Sequence, residues 1–153
     1  MKHNLILSLS VADCTPVCIF DPASKNYALV HSGWRGTYKK ISNNAIKLML
    51  DNESKIEDIM VYIGPSISQK NYEIGNEIIS FFSKKNLIKS GEKHLLDIKA
   101  QIIDDLIAMD IDSENISYSC RCTYNETYLQ SFRRDGENAG RLIFLMGRVN
   151  GRN

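Results

Sequence analysis

Cys14 and His31 are the first residues whose chemistry stands out, because the segment between them reads as a β-hairpin. If Val17–Phe20 pairs with Tyr27–Val30, the start of one strand meets the end of the other, so the thiol and the imidazole arrive at the same end of the sheet. A thiolate and an imidazole converging there suit zinc or another borderline-soft divalent metal. They are also the parts of a thiol nucleophile and its base. A catalytic zinc normally has three protein ligands plus an open position, and two donors do not complete one. The plainer reading is a buried cysteine and a hydrogen-bonded histidine at a sheet edge.

Gly33-Trp34-Arg35-Gly36 follows at once and leads to Thr37, which reads as the N-cap of a helix carrying Ile41, Ala45, Leu48 and Met49 at helical spacing. Gly33 and Gly36 would let a backbone approach a phosphate closely. The helix start at Thr37 would add unpaired N–H groups, and Arg35 a charged fork. The Gly-Lys-Ser/Thr pattern of a Walker loop is absent, and a tight strand-to-helix turn explains the same residues. A third group is Ser131-Phe132-Arg133-Arg134-Asp135-Gly136, followed by Gly140-Arg141. Read as a strand, it sends its adjacent arginines to opposite faces, so one of Arg133 and Arg134 can face a pocket while the other pairs with Asp135 or faces solvent. All twelve lysines lie at or before Lys99, and six of the seven arginines at or after Arg121. Arginine is the residue suited to gripping oxyanions with a planar fork. Cys120 and Cys122 form a poor metal signature and read as mainly structural. His94 reads as a partly buried flank, and His3 lies in a terminus that frays. There is no Gly-x-Ser-x-Gly elbow and no dinucleotide fingerprint.

The elements that must position these groups are mixed. Leu5–Val11, Val17–Phe20 and Tyr27–Val30 read as strands, with Asp21–Asn26 as the hairpin turn. Ile59–Ile63 is a buried strand, Ile116–Cys120 a short one, and Leu142–Met146 is apolar enough to be central. Amphipathic helices are expected around Ile74–Phe82 and Lys99–Met109. With at least one antiparallel hairpin, an α+β sandwich is favoured over a purely parallel doubly wound sheet. No repeat or linker divides the chain, so residues 1–153 read as one domain of ordinary size. A net charge of +1 argues against a nucleic-acid polymer or an anionic membrane as partner. No apolar run approaches the ~20 residues of a membrane span. Four cysteines without an export signal point to free thiols in a reducing cytoplasm.

Taken in order, Ala12-Asp13-Cys14-Thr15-Pro16-Val17, His31-Ser32-Gly33-Trp34-Arg35-Gly36-Thr37, Ile63-Gly64-Pro65 with Tyr72-Glu73-Ile74-Gly75, and Cys122-Thr123 with Ser131–Gly136 resemble the YfiH-type laccase-domain (multicopper polyphenol oxidase-like) family, whose members are understood as purine nucleoside phosphorylases. The resemblance covers essentially the whole chain. It implies an α/β/β/α layered sandwich and a metal site, usually zinc, with Cys14 and His31 as ligands. It places Arg35 and Arg133 or Arg134 in signature motifs near that site. It further implies phosphorolysis of adenosine, inosine or methylthioadenosine, with adenosine deamination as an accompanying activity. Relative to that pattern the chain is N-terminally truncated: a Gln-Val-His segment carrying the third metal ligand has no counterpart ahead of Cys14. Ser32, Ser66 and Asn125 replace an alanine and two cysteines. Two alternatives follow. One is a copper polyphenol oxidase, disfavoured because three histidines in the chain cannot supply several copper centres. The other is a non-catalytic fragment whose exposed apolar face would favour a homodimer.

Overall fold

A computed structural model of the chain describes residues 5–148. Its strands are β1 (Ile6–Val11), β2 (Thr15–Phe20), β3 (Tyr27–Ser32), β4 (Met60–Ile63), β5 (Glu73–Ile74), β6 (Leu87–Ser90), β7 (Lys93–Leu96), β8 (Ile116–Tyr118) and β9 (Leu142–Gly147). The helices are α1 (Trp34–Tyr38), α2 (Ile41–Leu50), α3 (Ile98–Ile107) and α4 (Phe132–Asp135). The strands form a four-stranded sheet in the order β3-β2-β4-β8, a three-stranded sheet β5-β7-β6, and a ribbon of β1 with β9. This is the mixed α+β class expected from the sequence.

The hairpin forms as its punctuation predicts. Asp21, fully buried, accepts hydrogen bonds from the N–H groups of Ala23 (2.8 Å) and Ser24 (3.1 Å) and from the Ser24 hydroxyl (2.6 Å). Burial alone would raise its pKa, but hydrogen bonds from Ser24, Ser54 and Ala23 outweigh it and hold the carboxyl below the ordinary range. The resulting register sets Thr15 against Ser32 and Pro16 against His31.

The central sheet is covered on both sides. Val17 and Ile19 of β2 align with Ile63 and Val61 of β4, and all four are buried in one core with Ile46 and Met49 of α2 and Ile102 and Leu106 of α3. The opposite face, which carries Pro16, meets the ribbon. A side chain at Gly64 would collide with Pro16 (2.7 Å) and with Phe144 of β9 (2.9 Å), so glycine is what lets the ribbon close onto the sheet there. The ribbon alternates strictly: Leu7, Leu9 and Val11 with Leu142, Phe144 and Met146 face inward, while Ile6, Ile143 and Leu145 face out and are exposed.

Four sequence expectations are corrected. Leu142–Met146 is half of a two-stranded ribbon, not a central strand, and its apolar composition is shared between an inner and an outer face. The helix expected over Ile74–Phe82 is instead β5 plus a 3-10 segment, Asn76–Phe81. Ile74 is drawn into strand pairing with His94 of β7, and the Asn76 side chain donates to the Glu92 carbonyl (3.0 Å), tying the start of the 3-10 segment to the β6–β7 turn. Thr37 is not an N-cap: it lies inside α1, whose N-cap is Gly33, and a left-handed Lys40 (φ 53°) separates α1 from α2. Residues 132–135 form the short helix α4, not a strand, because the Ser131 hydroxyl caps it by accepting from the Arg134 N–H (3.1 Å).

The ribbon's alternation gives a stability contrast. Phe144→Ala should cost about 2 kcal/mol, since the ring packs inward onto Pro16 and Gly64, whereas Leu145→Ser should stay within about 0.5 kcal/mol. Urea unfolding of the two variants measures this directly, and equal losses would contradict the described facing of β9.

Candidate functional site

Between the ends of the ribbon and the central sheet lies an open cavity of about 340 Å³, lined by Asp13, Cys14, His31, Tyr72, Arg133 and Arg141 among others. Strand parity delivers the first pair. His31 opposes Pro16 across the β2–β3 ladder, and Cys14 lies two residues before Pro16, so both side chains point to the ribbon side of the sheet. Gly33 makes room for the thiol: a Cβ there would stand 2.7 Å from Cys14 Sγ. Burial, then the neighbouring Asp13 charge, pushes the Cys14 thiol up, away from the low pKa of a nucleophilic thiolate.

Asp13 ties the rest of the site to that thiol. It is buried in a left-handed conformation (φ 80°), which an aspartate tolerates better than most side chains. Its Oδ1 accepts the Thr123 hydroxyl at 2.7 Å, its Oδ2 accepts the Arg133 N–H at 2.7 Å, and its carbonyl accepts the Ile67 N–H at 3.1 Å. One residue thus fixes three distant segments around the cavity.

The two adjacent arginines part company. Arg133 reaches over the cavity, donating to the Glu73 carbonyl (3.0 Å) with its guanidinium carbon 5.7 Å from the Tyr72 ring centre. Arg134 turns inward and gives hydrogen bonds to the carbonyls of Thr123 (2.8 Å), Tyr124 (3.0 Å) and Leu129 (2.8 Å), besides pairing with Asp135 (2.7 Å). Successive residues of a helical turn point about 100° apart, so α4 separates them as effectively as a strand would.

The Gly33–Thr37 segment is placed elsewhere. None of Gly33, Arg35, Gly36 and Thr37 lines the cavity. Ser32 alternates with His31 and therefore faces the helix side, where its hydroxyl meets the Thr37 hydroxyl at 2.9 Å. The buried Thr37 hydroxyl also donates to the Gly33 carbonyl (3.0 Å). Arg35 is exposed and stacks 4.2 Å above the Trp34 ring.

Three cavity residues escaped the sequence reading as chemical groups. Asp13 stands out in the sequence only as the residue before Cys14 in an ordered motif, and Arg141 only as a neighbour of Gly140. Tyr72 carried no signal beyond its place before Glu73-Ile74-Gly75. It is pushed up to about 12, by burial first and then by Cys14, with Arg133 opposing, so its hydroxyl is a neutral donor at physiological pH. Cys122 is structural: burial is outweighed by hydrogen bonds, including the Ser68 N–H (3.3 Å) and Asn71 amide (3.4 Å), which lower its pKa.

For a metal, Cys14 and His31 are two donors. Both Asp13 carboxylate oxygens are already engaged, and among the described residues no group of three or more His, Cys, Asp or Glu is arranged to hold an ion. The described residues therefore do not complete a zinc site by themselves. His94 is hydrogen-bonded to Asn76 (3.2 Å), and His3 lies outside the described residues. No described helix is long and apolar enough to cross a membrane.

Fold and cavity together define a layered α+β protein with a solvent-open, arginine-lined cavity. Residues 1–148 match the family described as multi-copper polyphenol oxidoreductase laccase. The chain belongs to that family. It is 32% identical over 146 residues to a purine nucleoside phosphorylase of Clostridium acetobutylicum, covering 93% of this chain and 62% of that protein. It is 34% identical over 159 residues to the purine nucleoside phosphorylase YlmD of Bacillus subtilis, covering 95% and 56%. The crystal structure of the Bacillus licheniformis hypothetical protein YfiH superposes with a TM-score of 0.90 at 28% identity, covering 95% of this chain and 58% of that one. The chain thus spans somewhat over half the length of these relatives.

Asp13→Ala should cost about 3 kcal/mol, because it removes an ionised acceptor from two buried donors. Asp13→Asn, which keeps the backbone preference and one acceptor, should lose roughly half as much. Chemical denaturation separates them, and equal stability of wild type and Asp13→Ala would remove Asp13 from its organising role. Gly33→Ala should shift the Cys14 side chain and at least halve the rate of its alkylation or metal capture, read by thiol labelling against the other cysteines.

Proposed function

We propose that this chain carries the substrate-binding face of a purine nucleoside phosphorylase. The observation that carries the reading is the cavity itself, where Cys14, His31, Tyr72 and Arg133 converge in a protein whose relatives bear that activity in their names. In phosphorolysis a hydrogenphosphate oxygen bonds to C1′ of the ribose as the C1′–N9 bond breaks. The bond's electron pair passes to the purine, and the proton carried by hydrogenphosphate ends on the base, giving ribose 1-phosphate and free purine. Positive charge grows on the sugar and negative charge on the leaving base. The neutral Tyr72 hydroxyl is a donor suited to the base or a ribose hydroxyl. The Arg133 fork, fixed by Asp13 at its backbone and Glu73 at its tip, holds negative charge beside the sugar.

Cys14 and His31 are the donors this chain would offer zinc, with a third donor required from outside the described residues. Bound there, zinc would supply a Lewis acid or an acidified water. Copper polyphenol oxidation is the weaker reading, since the chain holds three histidines in all.

Incubating the protein with inosine and phosphate, with zinc supplied, should release hypoxanthine and ribose 1-phosphate in equal amounts. No hypoxanthine, or hypoxanthine that forms independently of phosphate, overturns the reading. Arg133→Ala should lower kcat/KM about 10²-fold, the loss typical of removing one well-placed charge-stabilising donor.

A further inference from the structure

The Gly33–Thr37 segment that the sequence marks as a phosphate cradle supplies no lining residue of the cavity, so a phosphate there would be held by other groups. Two arginines do line the cavity, Arg133 from α4 and Arg141 from the residue just before β9. Other arginines are committed: Arg134 to Asp135 and a set of carbonyls, Arg121 to Glu126, and Arg35 to the face of Trp34. Among the described residues neither Arg133 nor Arg141 has a carboxylate partner.

Both are braced by neutral groups that cost them no charge. Arg133 donates one nitrogen to the Glu73 carbonyl at 3.0 Å. Arg141 donates Nη1 to the carbonyls of Ala139 (2.7 Å) and Gly140 (2.8 Å), and among the described residues its Nε and Nη2 have no partner. The turn beneath it is itself fixed, since the Gly140 N–H donates to the Gln130 side chain at 3.0 Å. Asp13 lines the same cavity, but both of its oxygens already accept hydrogen bonds and it is only 9% exposed. Two arginines with no carboxylate partner among the described residues, lining one solvent-open cavity, suit a ligand of two or more negative charges.

We infer that Arg141 and Arg133 form a clamp for the oxyanion co-substrate, inorganic phosphate, with Arg141 as a phosphate-binding residue. The assignment rests on the phosphorylase reading for the identity of the anion and on the cavity geometry for its place. Arg141 is exposed and contributes little to the core, so its removal should leave the fold intact.

The test compares wild type, Arg141→Ala and Arg141→Lys in two measurements. In the phosphorolysis assay, Arg141→Ala should raise the KM for phosphate at least tenfold while the KM for inosine stays within twofold, with Arg141→Lys in between. An unchanged phosphate KM, or an equal rise in both constants, overturns the clamp. In the second measurement, inorganic phosphate at fixed ionic strength should raise the Tm of wild type, as any ligand selective for the native state does. Arg141→Ala should lose that rise while keeping the phosphate-free Tm within a few degrees. If no phosphorolysis occurs but phosphate still stabilises wild type and not Arg141→Ala, the clamp stands and the phosphorylase reading fails. If phosphate stabilises both proteins equally, or neither, the clamp fails whatever the activity.

Discussion

The buried carboxylate of Asp13 is the interaction on which the cavity depends. It follows β1, precedes the thiol of Cys14, and receives hydrogen bonds from Thr123 and from the backbone of Arg133. Those partners lie more than a hundred residues away in sequence, so closing that loop costs considerable chain entropy. A charged acceptor with two short bonds offsets part of that cost, each being worth roughly 1.5–3 kcal/mol against an unsatisfied group. The consequence is mechanical. The distance between the thiol and the Arg133 side chain is set by one residue, not by the slack of a long connection.

The second organising feature is the two-sided central sheet. Val17 and Ile19 face the helices and build the apolar core, while Pro16 and its neighbours face the ribbon. Because side chains alternate, His31 and Ser32 belong to different worlds despite being adjacent. His31 joins Cys14 at the cavity, and Ser32 is sealed against Thr37 on the helix side. The glycines divide in the same way. Gly33 clears space for a thiol and Gly64 clears space for Phe144, so both serve packing.

The arginine excess in the second half of the chain also takes on physical meaning. Arg134 is a staple that satisfies several loop carbonyls, whereas Arg133 and Arg141 line the cavity. Lysine could not substitute for Arg134, because a compact ammonium cannot reach divergent carbonyls and a carboxylate from one planar group. The same residue type therefore holds loop structure together at one position and lines the cavity at two others.

The mixed α+β class, the β2–β3 hairpin, helix α3 and the arrival of Cys14 and His31 at one end of the sheet were legible from the residues, because all are governed by local punctuation and short-range periodicity. The family was legible from ordered motifs. Tertiary structure alone decided the rest. Apolar alternation could not reveal that, among the described residues, β9 pairs with β1 alone, since an inner and an outer apolar face read alike. A helix pattern at Ile74–Phe82 yielded to strand pairing with β7, a non-local competitor invisible to periodicity. Tyr72 and Arg141 reach the cavity through contacts between segments far apart in sequence, and Thr37 leaves it because one strand's parity turns the chain to the other face. The sequence by itself determined which chemical groups are present and where the chain turns. Which groups share a cavity was decided by long-range hydrogen bonds and sheet packing, whose energies depend on neighbours that local pattern cannot name.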